Sequence, residues 1–128
     1  MPYLEKIRRT VDGYVAGLPV PYRTTVDQPC FQKLKLPDSG NAFPLSLDPF
    51  LLTRYEMAEF AVKARDMGIN YIGICCGAGP HHVRAMAEAL GRKPPAGKYS
   101  PDMSLHPIFG DQDTRLQHVE CLLGPVDE

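Results

Sequence analysis

A short apolar segment that ends in a glycine-rich turn constrains the fold of this chain more than any other feature. Residues 70–80 have the sequence Asn-Tyr-Ile-Gly-Ile-Cys-Cys-Gly-Ala-Gly-Pro. The aromatic and β-branched residues favour a strand over 70–74, and the glycines let the backbone bend after it. Proline is well tolerated in the first turn of a helix, so Pro80 marks a helix start. The segment predicts a strand–turn–helix unit.

Helical spacing of apolar residues occurs in three segments, and each of them ends near a glycine. Thr53 and Glu56 form a capping-box pattern at the start of the second segment. The predicted helices cover residues 4–15, 53–67 and 80–90, with Gly17, Gly68 and Gly91 at their ends.

A second strand is predicted over residues 18–24, although Pro19 and Pro21 weaken it because proline cannot donate to a strand ladder. Strands that alternate with helices favour an α/β fold with a parallel sheet. Two strands do not form an independent sheet, and their open edges promote association. We therefore expect either a fragment of a larger domain or a chain that pairs with another, as in a homo-oligomer.

Two segments lack a regular period. Residues 25–52 form a connection longer than usual, which suggests a function or an insertion over one face. Residues 92–128 are rich in proline and glycine, with a short periodic stretch over 114–123. We predict two parts, a domain portion over 1–91 and a tail or oligomerisation arm over 92–128, ordered only where it docks.

Composition excludes several classes of protein. The formal net charge of −1 gives no support for a nucleic-acid or membrane-surface partner, and no apolar run reaches the roughly 20 residues that span a bilayer. The N-terminal residues lack the apolar run of a secretory signal. Four unevenly spaced cysteines do not resemble a disulfide framework. We expect a reducing, cytoplasmic location.

The adjacent cysteines Cys75 and Cys76 are the main candidates for chemistry. They follow a strand and precede a helix N-terminus, whose dipole favours thiolate over thiol. Thiolates at such a turn suit a borderline metal ion, above all zinc, and an open coordination position would activate a substrate thiol. Two alternatives stay open: the pair fills the core as small apolar residues, or it forms a strained disulfide.

Other candidate residues carry weaker signals. Cys30, in the long loop, is either a substitute third ligand or a free cysteine. Arg84 and Glu88 have the spacing of an exposed helical ion pair.

Gly77 and Gly79 suit the turn better than a phosphate loop, because the third glycine of that motif is absent. His81 and His82 open the last helix, close to the turn, and we expect His82 to cap or pack rather than bind metal. Cys121 is expected to be structural, and His106 and His118 lie in the tail without an identifiable motif.

A family resemblance is carried by residues 71–77 and, in the following helix, by Pro80, His82, Val83, Arg84, Ala85, Met86, Ala87 and Glu88. These residues resemble the end of the homocysteine S-methyltransferase domain, closest to its betaine–homocysteine branch. The resemblance implies the last two strands and helices of a (β/α)8 TIM-type barrel, followed by an extended C-terminal arm. It also implies that Cys75 and Cys76 are two of three cysteines that bind one zinc ion. Ile74 departs from the family, which usually has glycine at that position.

The activity implied by the resemblance is methyl transfer to homocysteine from betaine or S-methylmethionine, giving methionine. The third zinc cysteine would lie at the end of the sixth strand, before the first helix of this chain, and most substrate-binding residues would lie earlier still. We therefore predict no catalytic residue within the chain itself. The alternatives are a truncated, non-catalytic homologue that acts as a folding or interaction fragment, and a small structural metal or redox module. The second is disfavoured because the chain lacks a Cys-x-x-Cys pair.

Overall fold

The computed structural model of the chain describes residues 1–107 and residue 110. These residues form two compact units. The first contains Met1–Pro21 and Arg54–Ser100, and the second includes Tyr22–Thr53. The predicted periodic stretch over 114–123, together with His118 and Cys121, lies outside the described residues.

The first unit is an α/β arrangement, as predicted. In chain order its helices and strands are α1 (Pro2–Thr10), β1 (Ala16–Gly17), α2 (Arg54–Asp66), β2 (Tyr71–Ile72) and α3 (Pro80–Ala89). The two strands pair in parallel, with Ala16 opposite Tyr71 and Gly17 opposite Ile72. The prediction of a parallel sheet is confirmed, because α2 connects the two strands as a crossover helix.

The first strand lies earlier in the chain than the predicted 18–24, so that prediction is wrong in position. The carbonyl oxygens of Val15, Gly17 and Pro19 accept hydrogen bonds from the backbone N–H groups of Tyr71, Gly73 and Cys75, at 3.2, 3.0 and 2.8 Å. Pro19 has no N–H to donate, but its carbonyl still accepts. The backbone bonds therefore extend past β1 as far as Pro19.

The three helices end close to glycines or turn residues, with one difference from prediction. Helices α2 and α3 are followed by Gly68 and Gly91 in left-handed backbone conformations, with φ of 82° and 78°, as expected for C-terminal glycines. Helix α1 ends at Thr10, several residues before the predicted end, because Val11 adopts an extended conformation. This early end frees Val15 to enter the core.

The core of the first unit lies between the helices and the strands. Buried Val15, Ala64 and Ile69 form one cluster, and it is joined by the half-buried side chains of Leu4, Phe60, Met67 and Ile72. Met57 and Met86 are also buried, one on each of the two helices α2 and α3 that contact each other most. The helices thus cover the sheet and hold β2 in place.

The second unit includes the long connection predicted over residues 25–52. It contains short 3₁₀ helices over Phe31–Lys33 and Asp48–Phe50 and an antiparallel bridge between Tyr22 and Leu51. Its own hydrophobic cluster consists of the buried residues Leu34, Ala42 and Phe50, with Tyr22, Phe31, Leu36 and Leu47 packed against them. A separate core makes this segment a folded unit.

The segment after α3 folds back on that helix. Pro95–Tyr99 forms a 3₁₀ helix, and the Arg84 side chain donates to the carbonyl of Ala96 at 3.3 Å. The Ser100 hydroxyl donates to the Glu88 carboxylate at 2.8 Å. The expected ion pair between Arg84 and Glu88 is wrong: these two side chains contact this segment and not each other. The boundary at residue 91 and the role of the arm remain predictions.

No helix in the described part of the chain combines the length and the apolar character needed to cross a membrane.

Candidate functional site

The paired cysteines lie at the carboxyl end of β2, on backbone that the sheet anchors. Gly73 and Cys75 donate their N–H groups to the first strand and its extension, at Gly17 and Pro19. The chain then turns at Gly77, whose φ of 92° lies in the left-handed region. Glycine adopts this conformation without the steric cost that a side chain imposes. The strand and the turn together fix where the two thiols sit.

Both thiols are exposed and close together. The Sγ atoms of Cys75 and Cys76 are 3.5 Å apart, and both residues are free cysteines. Two thiolates that bind one tetrahedral ion at about 2.3 Å each have sulfur atoms about 3.8 Å apart. A disulfide needs about 2.0 Å. The observed separation is therefore close to that of two ligands on one ion, and the exposure of both residues removes the interpretation that they fill the core.

The two thiols have unequal acidity because they share hydrogen bonds. The backbone N–H of Cys76, and then its thiol, donate to the Cys75 sulfur and lower the Cys75 pKa. The same side-chain bond raises the pKa of Cys76, and the negative charge on Cys75 raises it further. Deprotonation therefore starts at Cys75.

Helix α3 begins immediately after the turn and is held there by a histidine. The carbonyl of Gly79 accepts from the backbone N–H of His82 at 3.0 Å, and His82 Nδ1 accepts from the Gly79 N–H at 3.0 Å. His82 is only 1% exposed. Its ring closes the start of the helix as the Glu of a capping box does. The prediction that His82 caps or packs is confirmed.

His81 is held in its neutral form at the start of α3. Partial burial lowers the pKa of His81, and the positive charges of His82, Arg54 and Arg84 lower it further. The His81 and His82 ring centroids are 4.0 Å apart. The N-terminus of α3 favours a nearby thiolate over the thiol, whereas the lowered pKa of His81 means that this ring adds little positive charge there.

The turn glycines have backbone reasons for being glycine. Gly77 has the positive φ described above. A Cβ on Gly79 would lie 2.6 Å from His81 Cε1, so that a side chain there would require the His81 ring to move. The interpretation of Gly77 and Gly79 as turn residues rather than a phosphate loop is supported by this geometry.

The structure gives two candidate ligands and not three. Within residues 1–107 and 110, no group of three or more His, Cys, Asp or Glu side chains could hold a metal ion. Cys30 belongs to the second unit, where its thiol contacts Gln32 Oε1. Its role as a substitute ligand remains a prediction. The donor set fits zinc as part of a site, with two thiolates at a suitable separation and the remaining ligand to come from elsewhere.

Sequence reasoning missed Pro19 as a part of this site. Its carbonyl accepts the hydrogen bond from the Cys75 N–H, whereas the sequence predicts only that a proline here weakens the strand. A usable signal existed: parallel pairing places the residues that follow the first strand opposite those that follow the second. The sequence also gives no indication that Arg54 lowers the pKa of His81, because that effect depends on packing between helices.

Comparison with known proteins matches most of the first unit to one family. The family model for homocysteine S-methyltransferase matches residues 4–90. Betaine–homocysteine S-methyltransferase 1 of Danio rerio is 44% identical over 81 residues, covering 59% of this chain and 19% of the relative. The corresponding protein of Pongo abelii is 43% identical over 68 residues, covering 53% of this chain and 16% of the relative.

A relative with another methyl donor in its name is similar to the same degree. S-methylmethionine–homocysteine S-methyltransferase of Rattus norvegicus is 40% identical over 68 residues, covering 53% of this chain and 18% of the relative. The chain thus spans less than a fifth of the length of these relatives. The family match covers the adjacent cysteines, the turn and the start of α3. The chain belongs to the homocysteine S-methyltransferase family.

Proposed function

We propose that this chain is the C-terminal segment of a zinc-dependent homocysteine S-methyltransferase domain. The observation that carries the proposal is the pair of exposed thiols, 3.5 Å apart, at the carboxyl end of β2 within the matched residues. Functional groups of α/β barrels gather at that end of the strands. Cys75 and Cys76 would then be two of three cysteine ligands to one zinc ion.

The fold proposed for the complete domain is a (β/α)8 barrel. In support, two parallel strands follow one another in the sheet and each is followed along the chain by a helix of that unit, α2 and α3. Each strand also has one edge with no neighbour among the described residues. A barrel closes by pairing such edges, and about 250 residues are typical for a complete one. The upstream strands would come from polypeptide outside this sequence.

The proposed reaction is transfer of a methyl group to the sulfur of homocysteine. Zinc, when bound, lowers the pKa of a coordinated thiol so that it is deprotonated at neutral pH. The homocysteine sulfur then forms a bond to the methyl carbon while the carbon–nitrogen bond of betaine or the carbon–sulfur bond of S-methylmethionine breaks. The bonding electrons leave with the amine or the thioether, and the product is methionine.

The contribution of this chain to that reaction is positional. Cys75 and Cys76 supply two ligand sulfurs. The hydrogen bond from the Cys75 N–H to Pro19 holds the first of them in register with the sheet. The bond between His82 and Gly79 fixes the start of α3 beside the turn. These contacts support the proposal that two of the zinc ligands are already held in position before the metal ion binds.

The test is complementation of the missing part. The chain is produced together with the polypeptide that precedes the matched segment in the Danio rerio relative, and zinc content and methionine formation from homocysteine are measured. We expect about one zinc per complex and activity with betaine or S-methylmethionine, whichever donor the completed domain uses. A folded complex that binds zinc but transfers no methyl group from either donor would contradict the proposed reaction.

The ligand assignment has its own control. Cys76→Ser in the complemented complex is expected to abolish zinc binding, because a serine hydroxyl is a poor replacement for a thiolate. Cys30→Ser serves as the matched control and is expected to leave zinc content unchanged. Unchanged zinc in Cys76→Ser would reject the pair as ligands, and loss of zinc in Cys30→Ser would make Cys30 the third ligand.

A second candidate function is that of a non-catalytic homologue which acts as a folding or interaction fragment. It is favoured by the lack of a three-residue metal group among the described residues and by the open edges of the two-stranded sheet. The two functions differ in the complemented complex. The fragment function predicts assembly without zinc-dependent activity, whereas the first proposal predicts both.

A further inference from the structure

The two exposed thiols have a ligand chemistry of their own, apart from any completed domain. Cys75 and Cys76 present two sulfur atoms 3.5 Å apart, and no group of three metal-binding side chains exists among residues 1–107 and 110. Zinc sites normally use at least three protein ligands. The pair alone therefore suits a thiophilic centre that needs two sulfur bonds and no more.

We propose that Cys75 and Cys76 form a dithiol site for monosubstituted trivalent arsenicals in this chain as it stands. Such compounds carry one organic group on arsenic and have two positions that exchange with thiols. The element is soft and prefers sulfur to oxygen or nitrogen, as other thiophilic centres do. This inference goes beyond the methyltransferase proposal and does not depend on it.

The binding step balances without an oxidant or a reductant. An arsenoxide, R–As=O, reacts with the two thiols to form two As–S bonds and release one water molecule. The oxygen leaves with the two thiol protons, and arsenic remains trivalent. The product is a ring that closes through the peptide bond between the two cysteines.

The geometry favours a bridging atom over direct oxidation of the pair. The sulfur atoms must approach each other by about 1.5 Å to form a disulfide of about 2.0 Å, whereas an atom bonded to both can span the observed separation. The hydrogen bond between Cys75 and Pro19 holds the backbone on one side, and Gly77 provides the turn on the other. Both thiols are exposed, so that the reagent can reach them.

Phenylarsine oxide is the probe for the test. The metal-free, reduced chain is treated with one equivalent, and the adduct is identified by intact-mass spectrometry. We expect one phenylarsenic unit per chain that resists a monothiol such as mercaptoethanol and is released by a dithiol such as dimercaptopropanol. Closing a ring typically raises apparent affinity by a factor of 10² or more. Cys75→Ser and Cys76→Ser are therefore expected to release arsenic at a roughly 100-fold lower monothiol concentration.

The other two cysteines provide the controls. A Cys30→Ser, Cys121→Ser variant retains only the adjacent pair and is expected to hold arsenic as tightly as the parent chain. Loss of monothiol-resistant arsenic in that variant would overturn the proposal and assign capture to a pair that includes Cys30 or Cys121. Undiminished resistance in either Cys75→Ser or Cys76→Ser would overturn it as well. Because arsenic release needs no folded catalytic domain, failure here leaves the methyltransferase proposal standing.

Discussion

At the scale of single residues, the adjacent cysteines are distinguished by what surrounds them. Two neighbouring thiols on a regular strand would point to opposite faces. Here both cysteines lie beyond the regular strand, which ends at Ile72, and their sulfur atoms are 3.5 Å apart. Because the two thiols are close, one donates a hydrogen bond that the other accepts, and their pKa values therefore differ.

This inequality predicts the order in which the thiols react. The thiolate is the reactive form, and the pKa of Cys75 is lowered while that of Cys76 is raised. As pH increases, iodoacetamide is expected to modify Cys75 first, as measured by tandem mass spectrometry. Cys76→Ala removes the donated thiol and should shift the Cys75 reaction to higher pH. A Cys75 pH profile that is the same in Cys76→Ala would contradict the shared hydrogen bond, and Cys30→Ala provides the neutral control.

His82 gives a second prediction at this scale. His82→Ala leaves the Gly79 N–H without this acceptor and opens space at a position that is 1% exposed. We expect the free energy of unfolding to fall by about 1–3 kcal/mol. His82→Gln keeps an acceptor at the same helix position and should lose less. Urea denaturation monitored by circular dichroism measures both, and equal losses would reject the capping role.

At the scale of helices and strands, the sequence predicts a helix start or end correctly where a single residue determines it. The C-terminal ends of α2 and α3 follow from Gly68 and Gly91, because each supplies a left-handed residue that other amino acids adopt at a cost. The start of α3 at Pro80 was predicted for a similar reason. Such positions depend on their own backbone and not on distant contacts.

Other features could not be predicted because they depend on contacts between distant residues. The shift of β1 to Ala16–Gly17 follows from pairing with residues 71 and 72, which lie far away in sequence. The cluster of Leu34, Ala42 and Phe50 has no local period that would reveal a core. The thiol pair itself is recognisable from sequence, but the 3.5 Å separation of its sulfur atoms is not, since it depends on the backbone and side-chain conformations of Cys75 and Cys76 themselves.

The glycine that follows α2 leads to a prediction about stability. Gly68→Ala places a side chain at φ of 82°, which costs about 1–2 kcal/mol of stability. Space is not the problem, because the nearest atom to a Cβ there is Arg8 Cδ at 3.8 Å. Gly13→Ala is the matched control, with nothing within 4 Å and no positive φ. It should leave stability unchanged or raise it by up to about 1 kcal/mol.

Thermal unfolding of the two variants measures this difference. A loss of stability in Gly13→Ala as large as that in Gly68→Ala would show that the added methyl group, and not the backbone conformation, is responsible.

At the scale of the whole molecule, the first unit exposes apolar surface along both strand edges. A groove of about 300 Å³ beside β1 is lined by residues that include Ile7, Leu18 and Phe60. A second groove of about 330 Å³ beside β2 is lined by residues that include Ile72, Val83 and Leu90. Exposed apolar grooves next to unpaired strand edges favour association. This is the structural basis for expecting an oligomer or a completed domain.

Association of this kind predicts that stability depends on protein concentration. The thermal midpoint of the chain should rise by a few degrees for each tenfold increase in concentration, because assembly stabilises the folded state by mass action. Ile7→Lys places a charge in the groove beside β1 and should remove most of this dependence. Tyr14→Lys is the control, since Tyr14 is 93% exposed and does not line that groove. A cooperative, concentration-independent transition would contradict the expectation.

The hydrogen bond between Cys75 and Pro19 couples two properties that are usually separate. It is the last backbone bond between the extended segments, and it also fixes the first of the two thiols. When the strands separate, this bond breaks and the sulfur atoms lose their fixed spacing. The geometry of the thiol pair is therefore a direct reporter of sheet integrity, and a chain whose sheet frays at this end would lose its bidentate chemistry before it unfolds.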